Sequence, residues 1–304
     1  MRRSKSPRDL RRLLLRAPAK INWTLDVLGR RDDGYHEIDS ILQAVSIHDD
    51  LTFERIDADE CLISCDDPSI PLGEANLIHR AWRAMREVFP GGAGGIRVDL
   101  KKRIPAGAGL GGGSADAAAT IVAVNRLFTL NLRAHRMMRI GARVGGDVAF
   151  FIRGGAARCR GRGERVEPIR ARLPEIALVV VYPGFASSTA EAYARLKPAD
   201  FSRRTDARAA AQSILAGDAS ALIERIGNVF DRVLTRADPR YAAIKREMRE
   251  AGLAAVTLTG SGSAVYGCAP DLRAAFAIAR RLDGRFPFLA VARPMRRGIR
   301  VSRF

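Results

Sequence analysis

The chain has 304 residues, 47% of them hydrophobic and 28% charged, with a formal net charge of +18. That length and apolar content can bury a sizeable core in one or two domains, and two are expected. The positive charge would favour nucleic acid or an anionic membrane as partner, but it is dispersed, and aromatics at 6% are too few for the interleaved basic and stacking residues of a single-strand binder.

In chain order, Met1 to Arg16 is a basic arm whose only apolar block is Leu13-Leu-Leu15, far short of a secretory core. It reads as a disordered extension, with an organelle-targeting arm as the alternative. Residues 17–28 and 41–55 cluster apolar side chains in strand fashion around a hairpin-like connection, Gly29 to Glu37. Glu74 to Phe89 predicts a helix ending before Pro90-Gly-Gly. Ile96 to Ile104 reads as a strand, followed by a glycine-rich segment, a helix over roughly Ser114 to Phe128, and another around Arg133 to Val144. After the basic, glycine-rich Arg153 to Arg165 comes a short buried strand, Ile176 to Tyr182. Helical patterns cover about 188–196, 206–233 and 238–251. Strands near 254–258 and 263–268 flank the turn Gly260-Ser-Gly262, and Asp271 to Leu282 is a last helix. Strands mixed with helices, without regular alternation, make the fold class α+β.

Cys61, Cys65, Cys159 and Cys268 offer neither zinc spacing nor a dense disulfide framework, so a cytoplasmic location is expected. No run approaches the ~20 apolar residues needed to span a bilayer, and no membrane partner is expected.

The most informative stretch is Pro105, Ala106, Gly107, Ala108, Gly109, Leu110, Gly111, Gly112, Gly113, Ser114 and Ala115, read as one anion-binding loop. Backbone without Cβ atoms can adopt positive φ, approach a ligand closely and aim successive N–H groups at phosphate oxygens. The following helix adds its unpaired N-terminal amides to the same spot. Ser114 could cap that helix or turn its hydroxyl to a phosphate or a bound Mg²⁺. The segment lacks the Gly-x-x-x-x-Gly-Lys-Ser/Thr order of a P-loop. Gly107-x-Gly109-x-x-Gly112 follows a strand, but no acidic residue stands between Asp116 and Asp147 to hold a dinucleotide ribose. No His-Arg-Asp or Asp-Phe-Gly element of a protein kinase is present.

Pro105 to Ala115 resembles the central Pro-x-x-x-Gly-Leu-Gly-(Gly)-Ser-Ser/Ala loop of the galactokinase, homoserine kinase, mevalonate kinase and phosphomevalonate kinase superfamily. Ala17-Pro-Ala-Lys20-Ile-Asn22 resembles its first motif and Thr259-Gly-Ser-Gly-Ser-Ala264 its third. Gly29-Arg-Arg-Asp-Asp-Gly34-Tyr35-His36-Glu37 is similar to the cytidine-binding signature of one member group. Departures are Ala149 where the family's Gly-Ala-Asp-Val-Pro has proline, Trp23, Asp32 and Ser263; none removes an acid, a base or a loop glycine.

The resemblance implies an ATP-dependent small-molecule kinase, with all eleven residues from Pro105 to Ala115 on the ATP side, Mg²⁺ as the ion and no dedicated protein metal cluster. It implies an N-terminal domain over 1–165 and a C-terminal domain over 166–304, with the active site between them. Its substrate would be a cytidine diphosphate-linked methylerythritol, its state a monomer or weak homodimer, and nucleic acid no partner. Phosphoryl transfer needs a group to accept the hydroxyl proton, and Asp147, after two glycines and before apolar Val148 to Ile152, is the candidate base. Coordination of Mg²⁺ is the other reading for Asp147. The resemblance supplies Lys20 as its partner, Tyr35 and His36 as the cytosine holders, and Asn22 and Lys102 as donors to substrate hydroxyls or diphosphate. Thr189 and Tyr193 match positions closing the substrate pocket, and Asn76 a nucleotide-side residue. Lysine is scarce among the 51 basic residues, yet Lys20, Lys101 and Lys102 stand beside motifs, where a compact ammonium suits a single oxygen. Alternatives are a sister kinase acting on mevalonate, homoserine or a sugar, a dinucleotide oxidoreductase, and an RNA-binding protein.

Overall fold

The computed structural model describes residues 10–171, 175–202 and 206–302. Residues 1–9 of the expected basic arm lie outside the described residues; Arg12 already begins the first strand. The chain runs β1 (Arg12–Arg30), β2 (His36–Ile56), β3 (Cys61–Cys65), α1 (Leu77–Val88), β4 (Gly95–Lys101), α2 (Gly112–Leu127), α3 (Ala134–Val144), α4 (Val148–Arg153), β5 (Ala156–Gly161) and β6 (Arg165–Ile169). It continues with β7 (Ala177–Tyr182), α5 (Thr189–Ala194), α6 (Ala207–Ala216), α7 (Ala219–Glu224), β8 (Gly227–Asn228), α8 (Val229–Ala237) and α9 (Pro239–Glu250). The last elements are β9 (Ala254–Leu258), β10 (Val265–Ala269), α10 (Leu272–Arg281), β11 (Phe288–Ala292) and β12 (Arg300–Ser302).

Two sheets organise these elements. The larger is built on the long antiparallel pair of β1 and β2 in the order β12-β1-β2-β4-β3, with the β5–β6 hairpin joined to the first half of β2 and β8 to β1. The smaller has the order β11-β7-β10-β9. The start of β1 alternates, with Leu13 and Leu15 buried and Arg12 and Arg16 outward, as a half-buried strand should. From Ala17 to Leu25 both faces are buried, because one meets α2 and the other meets the second sheet. Ile21, Trp23 and Ile41 pack against Leu178, Val180 and Tyr266 across that junction. The Tyr266 hydroxyl donates to the Asn22 carbonyl at 2.7 Å, tying the sheets together.

The α+β class holds, and the elements differ from the sequence reading in several places. The helix expected over 206–233 is three helices and a short strand. Gly217 at φ +71 ends α6, Asp218 accepts the Ala221 amide to start α7, and Asn228 accepts the Phe230 amide to start α8. Residues 153–165, read only as basic and glycine-rich, contain most of a hairpin in which buried Ala157 and Cys159 alternate with half-buried Arg158 and Arg160. Strands β3, β11 and β12 were not anticipated. The boundary expected at 165/166 meets β6, which begins at Arg165 and pairs with β5, and β12 returns the chain's end to the larger sheet beside β1.

Candidate active site

The first motif and the two glycine motifs meet where the two sheets adjoin. Between β4 and α2, Gly107, Gly109 and Gly111 all adopt positive φ. At Gly109 a Cβ would sit 2.3 Å from the Thr259 carbonyl oxygen, and at Gly111 one would sit 2.7 Å from the Phe151 ring. Glycine is therefore required both for conformation and for close approach. The Leu110 carbonyl accepts the Lys20 amide at 2.9 Å, the Ala108 carbonyl accepts the Ala264 amide at 3.0 Å, and the Gly107 carbonyl accepts the Ser187 amide at 3.2 Å. With these carbonyls turned into the protein, α2 starts at Gly112, two residues before Ser114, with left-handed Gly111 as its cap. Ser114 is thus in the first turn rather than the cap. The first-turn amides have no intrahelical acceptor and carry the positive end of a helix dipole.

The eleven loop residues do not all face the same way, and only some of them need glycine's conformational freedom. Ala106 is exposed in the turn ahead of Gly107 and has no positive φ. Gly113 is also exposed, but it belongs to the first turn of α2 and keeps helical backbone, with open-sided room for a Cβ 3.4 Å from Leu77 Cδ1. What Gly113 offers a ligand is a bare first-turn amide rather than a conformation only glycine can reach. Pro105 is half-buried, while Ala108, Leu110 and Ala115 are buried and anchor the loop by their side chains.

Lys20 and Asn22 lie on β1 against this loop. The Lys20 ammonium donates to Asn22 Oδ1 at 2.7 Å, and the same oxygen accepts the Gly260 amide at 2.9 Å. Asn22 Nδ2 donates to Ser40 Oγ at 2.8 Å, and Ser40 in turn donates to the Thr24 carbonyl. Asn22, expected as a donor to substrate, gives one amide hydrogen to Ser40, and its oxygen couples the first motif to the third. Burial drives Lys20 below its ordinary value, and the Asp147 carboxylate pulls it partly back. Asp147 occupies the turn before α4 with its carboxylate unused as a cap. The β5–β6 turn packs over it, a Cβ at Gly163 lying 3.8 Å from Asp147 Oδ1.

The hairpin between β1 and β2 presents Tyr35 and His36 at the rim. Tyr35 is exposed, with the Arg162 guanidinium 4.7 Å above its ring. The His36 ring packs 4.9 Å from Tyr193 and 6.1 Å from Phe201, and Tyr193 meets Phe230 edge-on at 4.8 Å. Burial, then Arg30, lowers the His36 pKa; burial, then Asp147, raises that of the Tyr193 hydroxyl. Thr189 Oγ1 lies 3.0 Å from Ser261 Oγ, joining α5 to the third glycine motif. The structure thus gathers Lys20, Asn22, Asp147, the loop, Thr189, Tyr193, Tyr35 and His36 around one region. Arg162 and Phe201 are members that sequence reasoning missed; the small alternating hairpin carrying Arg162 was the available signal.

Asn76 and Lys102 stand beside the loop with their polar groups occupied. Asn76 caps α1, accepting the Ile78 amide at 2.8 Å and donating to the Pro71 carbonyl at 2.7 Å. Lys102 is buried, bridging Asp49 Oδ2 at 2.5 Å and Asp116 Oδ2 at 2.9 Å. Burial would lower Lys102, but Asp116 and Asp49 outweigh it and push it up to about 12. Asp116 is raised to about 7 by burial, against the pull of Lys102 and with the push of Asp49.

Comparison with known proteins agrees with this geometry. Residues 76–155 match the GHMP kinases N terminal domain and residues 210–287 the GHMP kinases C terminal domain. Fold and site together define a GHMP-type, ATP-dependent small-molecule kinase. A 4-diphosphocytidyl-2-C-methyl-D-erythritol kinase from Pelotomaculum thermopropionicum is 40% identical over 269 residues, covering 87% of this chain and 92% of the relative. The enzyme of that name from Moorella thermoacetica is 40% identical over 286 residues, covering 93% and 99%. A crystal structure of 4-(cytidine 5'-diphospho)-2C-methyl-D-erythritol kinase superposes with a TM-score of 0.77 at 33% identity, covering 92% of this chain and 98% of the other. The chain belongs to the 4-diphosphocytidyl-2-C-methyl-D-erythritol kinase family.

Proposed function

We propose that this protein transfers the γ-phosphoryl group of ATP to the 2-hydroxyl of the methylerythritol part of 4-diphosphocytidyl-2-C-methyl-D-erythritol, giving the 2-phosphate and ADP. The observation that carries this reading is the meeting of Lys20 and the Asp147 turn beside a glycine loop at a helix start, with Tyr35 and His36 on the same rim. The loop amides, those of exposed Ala106, Gly107 and Gly113 among them, hold the triphosphate by charge-assisted hydrogen bonds. Asp147 accepts the proton of the 2-hydroxyl as its oxygen forms a bond to the γ-phosphorus and the bond to ADP breaks. Lys20 stabilises the negative charge developing on the attacking oxygen. Tyr35 and Tyr193 offer aromatic faces to the cytosine, and neutral His36 offers one donor and one acceptor to its polar edge. Thr189 closes the pocket from α5.

Mg²⁺ fits this site as a partner of the nucleotide rather than as a resident ion. Among the described residues no group of three or more His, Cys, Asp or Glu could hold a metal. Ser114 Oγ faces the turn before Asp147, 3.9 Å from where a Gly145 Cβ would lie. A hydroxyl plus phosphate oxygens is a donor set Mg²⁺ accepts. Bound there, the ion would neutralise charge on the phosphates. With Asp147 assigned to the proton, Ser114 is the protein group that would hold it.

The test is ADP release with the cytidine diphosphate acceptor and, in parallel, with mevalonate, homoserine and galactose. Release dependent on the cytidine acceptor alone is the expected result. Equal release with another acceptor would move the protein to a sister activity.

A further inference from the structure

The strand leading into the phosphate loop ends against a buried carboxylate that the reaction above does not use. Asp49, on β2, is fully buried. The β2–β4 ladder starts at Asp50 and Lys101, so residues 102–104 have left the sheet. Asp49 takes over as their partner: Oδ1 accepts the amides of Arg103 at 2.6 Å and Ile104 at 2.8 Å. Its other oxygen accepts the Lys102 ammonium, and that ammonium reaches on to Asp116 on α2. The cluster lies directly beneath the loop's far end, since a Cβ at Gly112 would stand 2.9 Å from Lys102 Nζ. Both ends of the loop, Ile104 on one side and Gly112 to Asp116 on the other, are therefore fixed to one ion cluster.

We propose that Asp49 is a positioning residue for phosphoryl transfer, which sets the pitch of the phosphate loop by holding the Arg103 and Ile104 amides, with Lys102 compensating its charge. It touches no reacting atom and acts through the loop's main chain. A loop whose carbonyls must turn inward and whose amides must turn toward an anion depends on where its first residue is pinned. Two amides on one carboxylate oxygen pin it more tightly than one ladder bond, because the acceptor is charged. The Lys102 ammonium offsets the cost of burying that charge. Asp116 Oδ1 is buried without a partner, so the cluster holds one acceptor more than its donors satisfy, and removing Lys102 alone would leave two acids uncompensated.

This rests on the kinase reading, but its test does not need the acceptor's identity. A nonhydrolysable ATP analogue and the cytidine diphosphate substrate are titrated separately into wild type, Asp49→Asn and Asp49→Asn/Lys102→Met. In the single variant the new amide nitrogen faces Lys102 or displaces the accepting oxygen from the two main-chain amides. Analogue affinity should fall by about tenfold to 100-fold, with the cytidine ligand within about twofold. In the double variant the ammonium is gone and Asn can again accept both amides. Analogue affinity should then return to within about fivefold of wild type. Should the single variant fail to fold, the double variant alone decides. Unchanged analogue affinity in Asp49→Asn, equal weakening of both ligands, or a folded double variant that binds the analogue at least tenfold more weakly than wild type would each overturn the proposal. Wild type that binds the analogue yet phosphorylates another acceptor would revise the substrate and leave the role of Asp49 standing.

Discussion

The Lys20 ammonium and the Gly260 amide share a single oxygen, Asn22 Oδ1, at 2.7 and 2.9 Å. This places Lys20, from the first strand, in register with a glycine turn more than 200 residues later in the chain. Asn22→Ala should therefore misplace Lys20 while leaving the phosphate loop largely intact. We expect kcat to fall by about 100-fold with little change in the KM for ATP. Steady-state kinetics with each substrate varied in turn check this, and a loss confined to the KM for the cytidine substrate would assign Asn22 to direct recognition instead.

Lys20 is held below its ordinary value of 10.5, chiefly by burial. The folded chain thus gives up this proton at a lower pH than the unfolded chain does. Activity that needs the ammonium should be lost as pH rises through the lowered value, ahead of 10.5. The same burial costs fold stability below that value, and the cost is relieved as pH rises from the lowered value towards 10.5. Lys20→Met should accordingly raise the melting temperature at neutral pH while removing at least about 10³-fold of turnover. Differential scanning fluorimetry beside ADP-release rates gives both readouts.

Tyr35→Ala and His36→Ala should each raise the KM for the cytidine substrate by about tenfold or more and leave that for ATP within about twofold. Since burial and Arg30 lower the His36 pKa, the ring is neutral at pH 7. Substrate KM should stay flat from neutral to mildly alkaline pH and rise only on acidification below the usual histidine range. A KM that rises between pH 7 and 6.5 would contradict the neutral-ring assignment.

Gly109→Ala would place a methyl group 2.3 Å from the Thr259 carbonyl oxygen at a φ of +76. The backbone at both motifs must move, so we expect a stability loss of at least about 1–3 kcal/mol together with loss of ATP binding. Denaturant titration and binding of an ATP analogue measure the two effects independently.

Much of this site was legible in the sequence because glycine motifs report backbone demands directly. Gly107, Gly109 and Gly111 take the positive φ that residues without a Cβ allow, and Lys20 and the Asp147 turn lie near one another. Gly113 looks the same in the sequence but is ordinary helix, because the helix starts at Gly112 and absorbs it. Side-chain roles were harder to read. Asn22, Asn76 and Lys102 are donors by type, but the sequence does not show that Ser40, the Pro71 carbonyl and two buried acids already receive their hydrogens. Asp49 was invisible because it falls inside the strand-like run 41–55 with nothing in the sequence to single it out, and only the fold shows Arg103 and Ile104 leaving the sheet beside it. The long helix expected over 206–233 failed for a local reason. Gly217-Asp218 stops α6 and caps α7, α7 ends at Arg225, and Asn228 leaves a two-residue strand to cap α8, so these local signals outweighed the continuous apolar pattern around them.

The assignment of Asp147 as the base beside Lys20 is tested most directly by Asp147→Asn. ADP release is followed with saturating cytidine acceptor, alongside titration of a nonhydrolysable ATP analogue into the same preparation. The expected result is analogue affinity within about twofold of wild type and turnover reduced by about 10²–10⁴-fold. Turnover within about threefold of wild type would contradict the account and move the proton to another acceptor.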